Sequence, residues 1–517
     1  MNNTPADKFN YLVLILALSL VISVFSKFSD ALGIRSALFF LLGATFFFHF
    51  NACFIKFRYY VIPLLFFVLA AVLSYYGAEF RYNARSGIML LSYCSAAYLL
   101  SGFLKPYDKR SVLIIPVFIG LWLTIFLFAS NTAFSDYAAN EVLSKNMRAA
   151  AGFLILALSL SFVFWQKERK IYMYTSFIIL AAVLLTKVYF AAGLAFVLFG
   201  TFLFLTREKI KVKTYISVLP FTALSAAAFA QAFTSGWFSH KTQIWKTALS
   251  VIKDNLVTGT GFCNYSSVSG AYAETAGIDV SGADNMILQV LAETGIAGFI
   301  LFSAVLAVFF TLIARKLKKK ENKELYLPVL LAVVFFMLYN MFESAAFIPA
   351  NMLVFFILLS VPSDVSDIKS RSRKINAYAA VLVTVPLLYV LALPLMAAED
   401  YKKGIMFFAA GKYDLSRDYY LGAMERDFLN PEYASRLSDA YFAISRKENS
   451  LVNLDKALEY KKLASSLNRF NGKYYYDLAW LYKMKNEKRL ASDNITKALE
   501  MEPFNKKFLE AYGELIY

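Results

Sequence analysis

Residues 167–213 read KERKIYMYTSFIILAAVLLTKVYFAAGLAFVLFGTFLFLTREKIKVK. The apolar run at 171–206 is interrupted by one charge, Lys187, and is long enough to cross the roughly 30 Å hydrocarbon core of a bilayer twice. Both flanks are strongly basic, and because Lys and Arg accumulate on the cytoplasmic side of membrane segments, both flanks belong on that side. The stretch therefore predicts a helical hairpin, with Lys187 at the turn on the opposite face.

The rest of the chain repeats this pattern. Apolar blocks occur at 11–26, 36–50, 60–77, 86–104, 112–130, 149–166, 214–232, 287–314, 325–341, 345–361 and 375–397. With 59% hydrophobic and 17% charged residues in 517, a soluble fold cannot bury so much apolar surface. In hydrocarbon each backbone polar group needs an internal partner, so the blocks are read as helices. The block at 11–26 follows Lys8 but lacks a small-residue cleavage site, and it is read as a retained span.

The net charge of +17 comes from short basic runs between blocks, not from one soluble basic face, so nucleic acid is not an expected partner. These runs fall at Lys56/Arg58, Lys105/Lys109/Arg110, Lys167/Arg169/Lys170, Arg207/Lys209/Lys211/Lys213, 315–320 and Lys369/Arg371/Arg373/Lys374. Placed together in the cytoplasm, they give about thirteen spans, with the N-terminus inside and the C-terminus outside. Cys53, Cys94 and Cys263 are too dispersed for a disulfide framework or a metal knuckle. The expected architecture is all-α. A membrane bundle is split into 1–232 and 287–397 by an extracytoplasmic loop at 233–286, and a separate extracytoplasmic domain covers 398–517.

That tail turns abruptly polar, with apolar residues at helical spacing. Tyr475, Leu478, Ala479, Tyr482, Ala491, Ile495, Ala498 and Pro503 resemble a tetratricopeptide repeat. Earlier units show Gly404, Phe407, Ser416, Tyr420 and Ala423, then Leu437, Tyr441, Ala457 and Ala464. About three repeats stacked as an α-solenoid are expected. Their small and aromatic residues form the core, and the concave face is available to envelope proteins.

The loop carries KTQIWKTALSVIKDNLVTGTGFCNY from Lys241 and ADNMILQVLAETGIAGF from Ala283. This ordered set resembles the O-antigen ligase and polymerase superfamily of bacterial membrane glycosyltransferases, over roughly 233–361. The shared features are a basic residue before a Trp, a G-x-G turn, and a His/Asp-Asn pair ahead of an E-x-G segment. The resemblance implies a multi-pass inner-membrane enzyme with no cofactor and no metal. It would move glycan from undecaprenyl diphosphate to a glycan, lipid or protein hydroxyl at the outer leaflet. Three positions depart from the pattern. Lys241 stands where Arg is common, Asp284 stands where ligases have His, and Lys187-Val188-Tyr189 replaces a Ser-Arg pair.

Independently of the family, a leaving diphosphate gains negative charge, so fixed cations at the outer interface stabilise its departure. Arg81, Arg85, Lys145, Arg148, Lys187 and Lys241 are available, and the Arg fork is the better diphosphate clamp. Arg81 and Arg85 can equally be interfacial anchors. Asp284 is the expected general base and Glu293 the second choice, provided desolvation raises the carboxyl's basicity. Asp284 and Asn285 also suit a helix cap at Met286. His240 and Trp245 complete the expected substrate contacts with Asn285, and Trp237 and Trp245 also fit a membrane-interface belt. His49 reads as packed or interfacial. Gly259-x-Gly261 follows no strand and reads as a turn.

Because Asp284 replaces the ligase-type His, the expected activity is an O-antigen-type polymerase. A ligase or a protein O-oligosaccharyltransferase would use the same machinery on another acceptor. A non-catalytic scaffold or a transporter is the competing class, although paired broken spans and intramembrane charges are scarce.

Overall fold

The computed structural model describes residues 58–131 except 79, 103 and 105, then 147–165, 170–206, 237–363 except 276–277, and 393–516, with scattered residues in 13–19 and 223–234. The blocks at 36–50 and most of 11–26, 214–232 and 375–397, with Lys145, His49 and several basic runs, lie outside these. All regular structure among the described residues is helical.

The N-terminal helices are α1 (Arg58–Gly77), α2 (Arg81–Gly102), α3 (Pro106–Asn131), α4 (Met147–Trp165), α5 (Lys170–Leu185) and α6 (Tyr189–Leu205). After these come α7 (Trp237–Asp254), the one-turn α8 (Tyr265–Val268), α9 (Met286–Lys318), α10 (Lys323–Tyr339) and α11 (Pro349–Ser360). Among the described residues, two helices are long and apolar enough to cross a membrane, α4 and α9.

These two are used differently. α4 is buried continuously from Ala149 to Val163 and packs on α3, α5, α6 and α10, which makes it the centre of the bundle. Its Ala, Gly and Ser residues allow that close approach, and the Ser161 and Ser176 hydroxyls join α4 to α5 at 2.6 Å. α9 packs mainly on α1 and leaves apolar side chains such as Ile296 and Ile300 exposed. Outward-facing Leu65, Leu69, Leu73, Ile125 and Phe204 continue this apolar exterior, as expected of a chain solvated by lipid.

The run at 171–206 is two helices, α5 and α6, joined at Thr186–Val188, and Lys187 takes the left-handed conformation at the turn, with φ 57°. The helical break therefore coincides with the one interior charge.

Side-chain contacts distinguish the two ends of the bundle. At one end Ser101 of α2 meets Ser360 of α11, and the buried Lys109 donates to the carbonyls of Val361 (2.9 Å) and Ser363. A cation there satisfies carbonyls left open at a helix C-terminus. At the other end, where α2 begins, Asn83 donates to Ser267 at 2.9 Å and Arg85 pairs with Asp427 at 2.9 Å. The 237–285 loop and the C-terminal domain thus gather at the end opposite Lys109.

The C-terminal domain continues from helical residues 393–409 into α12 (Tyr413–Arg426), α13 (Pro431–Glu448), α14 (Leu451–Leu467), α15 (Gly472–Met484), α16 (Lys488–Met501) and α17 (Lys506–Ile516). Each of α12 to α17 packs on the next, and the short connections make neighbours antiparallel. Asn430, Ser450 and Asn471 accept backbone N–H bonds at successive helix starts. Tyr420, Leu437, Tyr441, Ala457, Leu478 and Tyr482 form the shared core. The buried Lys461 bridges Asp439 (2.8 Å) and Asp477 (3.0 Å), fixing α13, α14 and α15 together.

Candidate functional site

Where α7, α9, α4 and the 340–348 loop meet, four charged side chains converge. Lys241 Nζ lies 2.6 Å from Asp284 Oδ2 and 3.1 Å from Glu343 Oε2. Arg148 approaches the same two carboxylates, with Nη1 3.4 Å from Asp284 Oδ2 and Nε 3.3 Å from Glu343 Oε2. Three of the four are enclosed, and only the Arg148 side chain, 54% exposed, reaches the surface.

Local structure explains the convergence. Asp284 sits in the left-handed region at φ 46°, a conformation that Asp and Asn tolerate better than other side chains. Its backbone N–H donates to Ser344 Oγ at 2.9 Å. Asn285 Oδ1 accepts from the N–H groups of Ile287 (2.9 Å) and Leu288 (3.1 Å), so Asn285 is the N-cap of α9. The Met286 N–H donates to the Asn340 carbonyl at 2.7 Å, and Asn340 Oδ1 accepts from Ala345 N–H at 2.9 Å. These bonds fix Glu343 opposite Asp284. Arg148 occupies the first turn of α4, where Tyr339 Oη donates to its carbonyl at 2.8 Å.

Burial pushes the Glu343 carboxyl above its usual value; Lys241 and Arg148 oppose that rise, and Asp284 adds to it. Two cations against two carboxylates leave the group near neutral, so each depends on the others. Lys241 is held inside by both acids, with its ammonium also 5.5 Å from the Trp237 ring centre. Around it Phe190, Trp237, Phe342 and Trp245 form an aromatic collar with ring centres 4.8 to 5.8 Å apart.

Glu293 belongs to a second group. Its carboxylate accepts from the N–H of Cys263 (2.9 Å), the N–H of Tyr265 (3.4 Å) and the Gln289 amide (3.2 Å). The neighbouring backbone interlocks, with Thr260 N–H on the Ala292 carbonyl, Gly261 N–H on Glu293 and Ile296 N–H on Leu256, at 2.9, 3.0 and 2.9 Å. α9 kinks here at Gly295 (φ 66°), which faces Gly259 (φ 68°). A Cβ on Gly259 would collide with the Glu293 carbonyl, and one on Gly295 with that of Val257. The G-T-G turn and the E-T-G segment are thus two halves of one joint, in which Glu293 is a structural acceptor and not a partner of Asp284.

The other expected residues are dispersed. Arg85 pairs with Asp427 and covers the Tyr82 ring at 5.2 Å, at the seam with the C-terminal domain. Arg81 is exposed on the same seam. Lys187 is exposed, three residues before Phe190 of the collar, and takes no part in the ion cluster. His240 is exposed beside the enclosed Lys241, and Trp245 Nε1 lies 3.5 Å from the Asp284 carbonyl. Glu343 escaped the sequence reading, yet it is the one charged residue between Glu324 and Asp364, a signal that could have marked it. Among the described residues, no three His, Cys, Asp or Glu side chains gather so as to hold a metal.

Residues 137–303 match the family model Wzy_C, O-antigen ligase. The match starts well before residue 233, where the motifs had placed the resemblance, and stops before Glu343. No curated protein matches the chain. Among solved structures, the first TPR of Spaghetti (RPAP3) bound to an HSP90 peptide is similar at 26% identity. It covers 23% of this chain and 90% of its own, with a TM-score of 0.21. The span that supplies Arg148, Lys241 and Asp284 is accordingly similar to the O-antigen ligase family, in agreement with the resemblance that the motifs carry.

Proposed function

We propose that the chain is a multi-pass inner-membrane glycosyltransferase that transfers glycan from undecaprenyl diphosphate to an acceptor hydroxyl at the outer leaflet, as a surface-polysaccharide polymerase. One observation carries this reading: an enclosed carboxylate pair shares a buried lysine, with an arginine at its mouth, and Arg148, Lys241 and Asp284 of this group lie within the family-matched region, with Glu343 beyond it. In this scheme the acceptor oxygen attacks the anomeric carbon. The carbon–oxygen bond to the diphosphate breaks, its electron pair leaves with the lipid diphosphate, and the configuration inverts. The acceptor proton passes to the Asp284/Glu343 pair. Burial raises the proton affinity of Glu343, which suits it to accept that proton.

Arg148 is the cation placed to meet the departing diphosphate, and its planar fork suits paired oxygens. Lys241 is a positioning residue that holds both carboxylates together and opposes the rise in the Glu343 pKa. The gathering of the loop and the C-terminal domain at the end opposite Lys109 supports placing that domain, read as tetratricopeptide-like, outside the cytoplasm with the site. About thirteen spans and a cytoplasmic N-terminus complete the proposed topology.

Product analysis in a strain lacking the gene tests the polymerase assignment. The expected result is surface glycan reduced to single units. Long glycan stranded on its carrier would assign a ligase instead, and unchanged glycan would remove the enzymatic reading.

A further inference from the structure

A cleft of about 400 Å³ lies between the loop and the C-terminal domain, within the roughly 300 to 1,000 Å³ typical of small-molecule sites. Asn255 and Tyr272 line it from the loop, and Phe470, Tyr475, Lys497 and Glu500 from the C-terminal domain. Arg469 also lines it and borders a second cleft, of about 450 Å³, whose other walls include Arg81 and Phe428. The two clefts are therefore neighbours along one seam.

The seam is anchored next to the ion cluster. Phe470 packs on the hydrophobic cluster that contains Ala283, the residue before Asp284, together with Ala248 and Tyr265. At its far side the Arg85–Asp427 pair ties α2 to the C-terminal domain.

We propose that this seam is a saccharide-binding groove that holds the body of the glycan while its reacting end lies at Asp284. The inference rests on the glycan-transfer reading above. Tyr272, Phe470 and Tyr475 offer flat apolar ring faces that match the C–H faces of sugar rings. Asn255, Lys497 and Glu500 supply donors and acceptors suited to hydroxyls. Arg469 and Lys497 against Glu500 leave the first cleft a single formal positive charge, and this mixed polar and aromatic lining fits a polyhydroxylated chain better than an apolar peptide.

The test uses the full chain in lipid nanodiscs. Two probes are titrated, with intrinsic fluorescence and saturation-transfer NMR as readouts. One is free oligosaccharides of one, two and four repeat units released from the host strain's own surface polysaccharide. The other is the lipid-linked single unit. Tyr272→Ala, and separately Lys497→Ala with Glu500→Ala, should each weaken saccharide binding about tenfold. Lys319→Ala, at the far end of α9, should leave it unchanged. The paired surface variant keeps the test decisive if Tyr272→Ala does not fold. Binding of free oligosaccharides would assign the groove to the acceptor, and binding of the lipid-linked unit alone would assign it to the donor; either supports a saccharide groove. Unchanged binding in both folded groove variants, or an equal loss in Lys319→Ala, overturns the inference. If wild type binds in the expected pattern but transfers nothing, the transferase reading fails while the groove stands.

Discussion

Two enclosed carboxylates on the same stretch of chain, Asp284 and Glu293, have opposite surroundings. Asp284 faces a buried ammonium, a half-exposed guanidinium and a second acid. Glu293 faces two backbone N–H groups and an amide, all inside one loop joint. An acid whose partners are charged can exchange a proton or meet a charged substrate as those partners rearrange. An acid saturated by backbone donors holds a loop in shape. The comparison separates chemistry from architecture where the spacing of the two residues could not.

The largest effect is expected for Lys241→Ala. It leaves Asp284 and Glu343 as buried acids with only Arg148 beside them, and breaking such a pair costs about 3–5 kcal/mol. Thermal unfolding of the purified chain should show the loss, together with absent transfer. Asp284→Asn and Glu343→Gln should keep the fold and lower turnover about 10²- to 10⁴-fold, the range for losing a general base. Turnover by folded Asp284→Asn close to wild type would erase the distinction.

Glu293→Gln should sharpen it. One of the two N–H donors then faces an amide nitrogen, a cost of about 1–3 kcal/mol in stability, while transfer per folded molecule stays near wild type. Paired denaturation and activity curves measure both.

A pH effect follows from Glu343. Its folded-state pKa is raised above the ordinary 4.5, so the native state binds the proton more tightly than the unfolded state. Stability should therefore fall as pH rises from the ordinary value through the folded value, and then level off. Glu343→Gln should remove that decline in a series of unfolding curves. The smallest global effect is expected for Arg85→Ala. Burial already raises the Asp427 carboxyl against the pull of Arg85, and without Arg85 its proton affinity should rise further. Limited proteolysis should then release the C-terminal domain sooner, with little change in overall unfolding.

Much of the helical layout could be read from local pattern, because apolar run length and basic flanks act within a few residues. The break at Lys187 is such a case. Lys241, Asp284 and Arg148 stand out by residue type, since a diphosphate chemistry asks for cations and a base, and the structure brings the three side chains together. The roles of Arg85 and Glu293 were not readable. The partner of Arg85 lies 342 residues away in another domain, and two of the three donors to Glu293 are backbone N–H groups, which leave no trace in side-chain identity. Glu343 was missed because a single acid in a nine-residue connection between two apolar helices has no periodicity, although its isolation was visible.

Purified full-length chain given a lipid-linked glycan donor, with Asp284→Asn, Glu343→Gln and Glu293→Gln assayed side by side and corrected for folded fraction, tests the account most directly. The account predicts that transfer collapses in the first two and persists in the third. Transfer that persists without Asp284 and Glu343 but fails without Glu293 would contradict it.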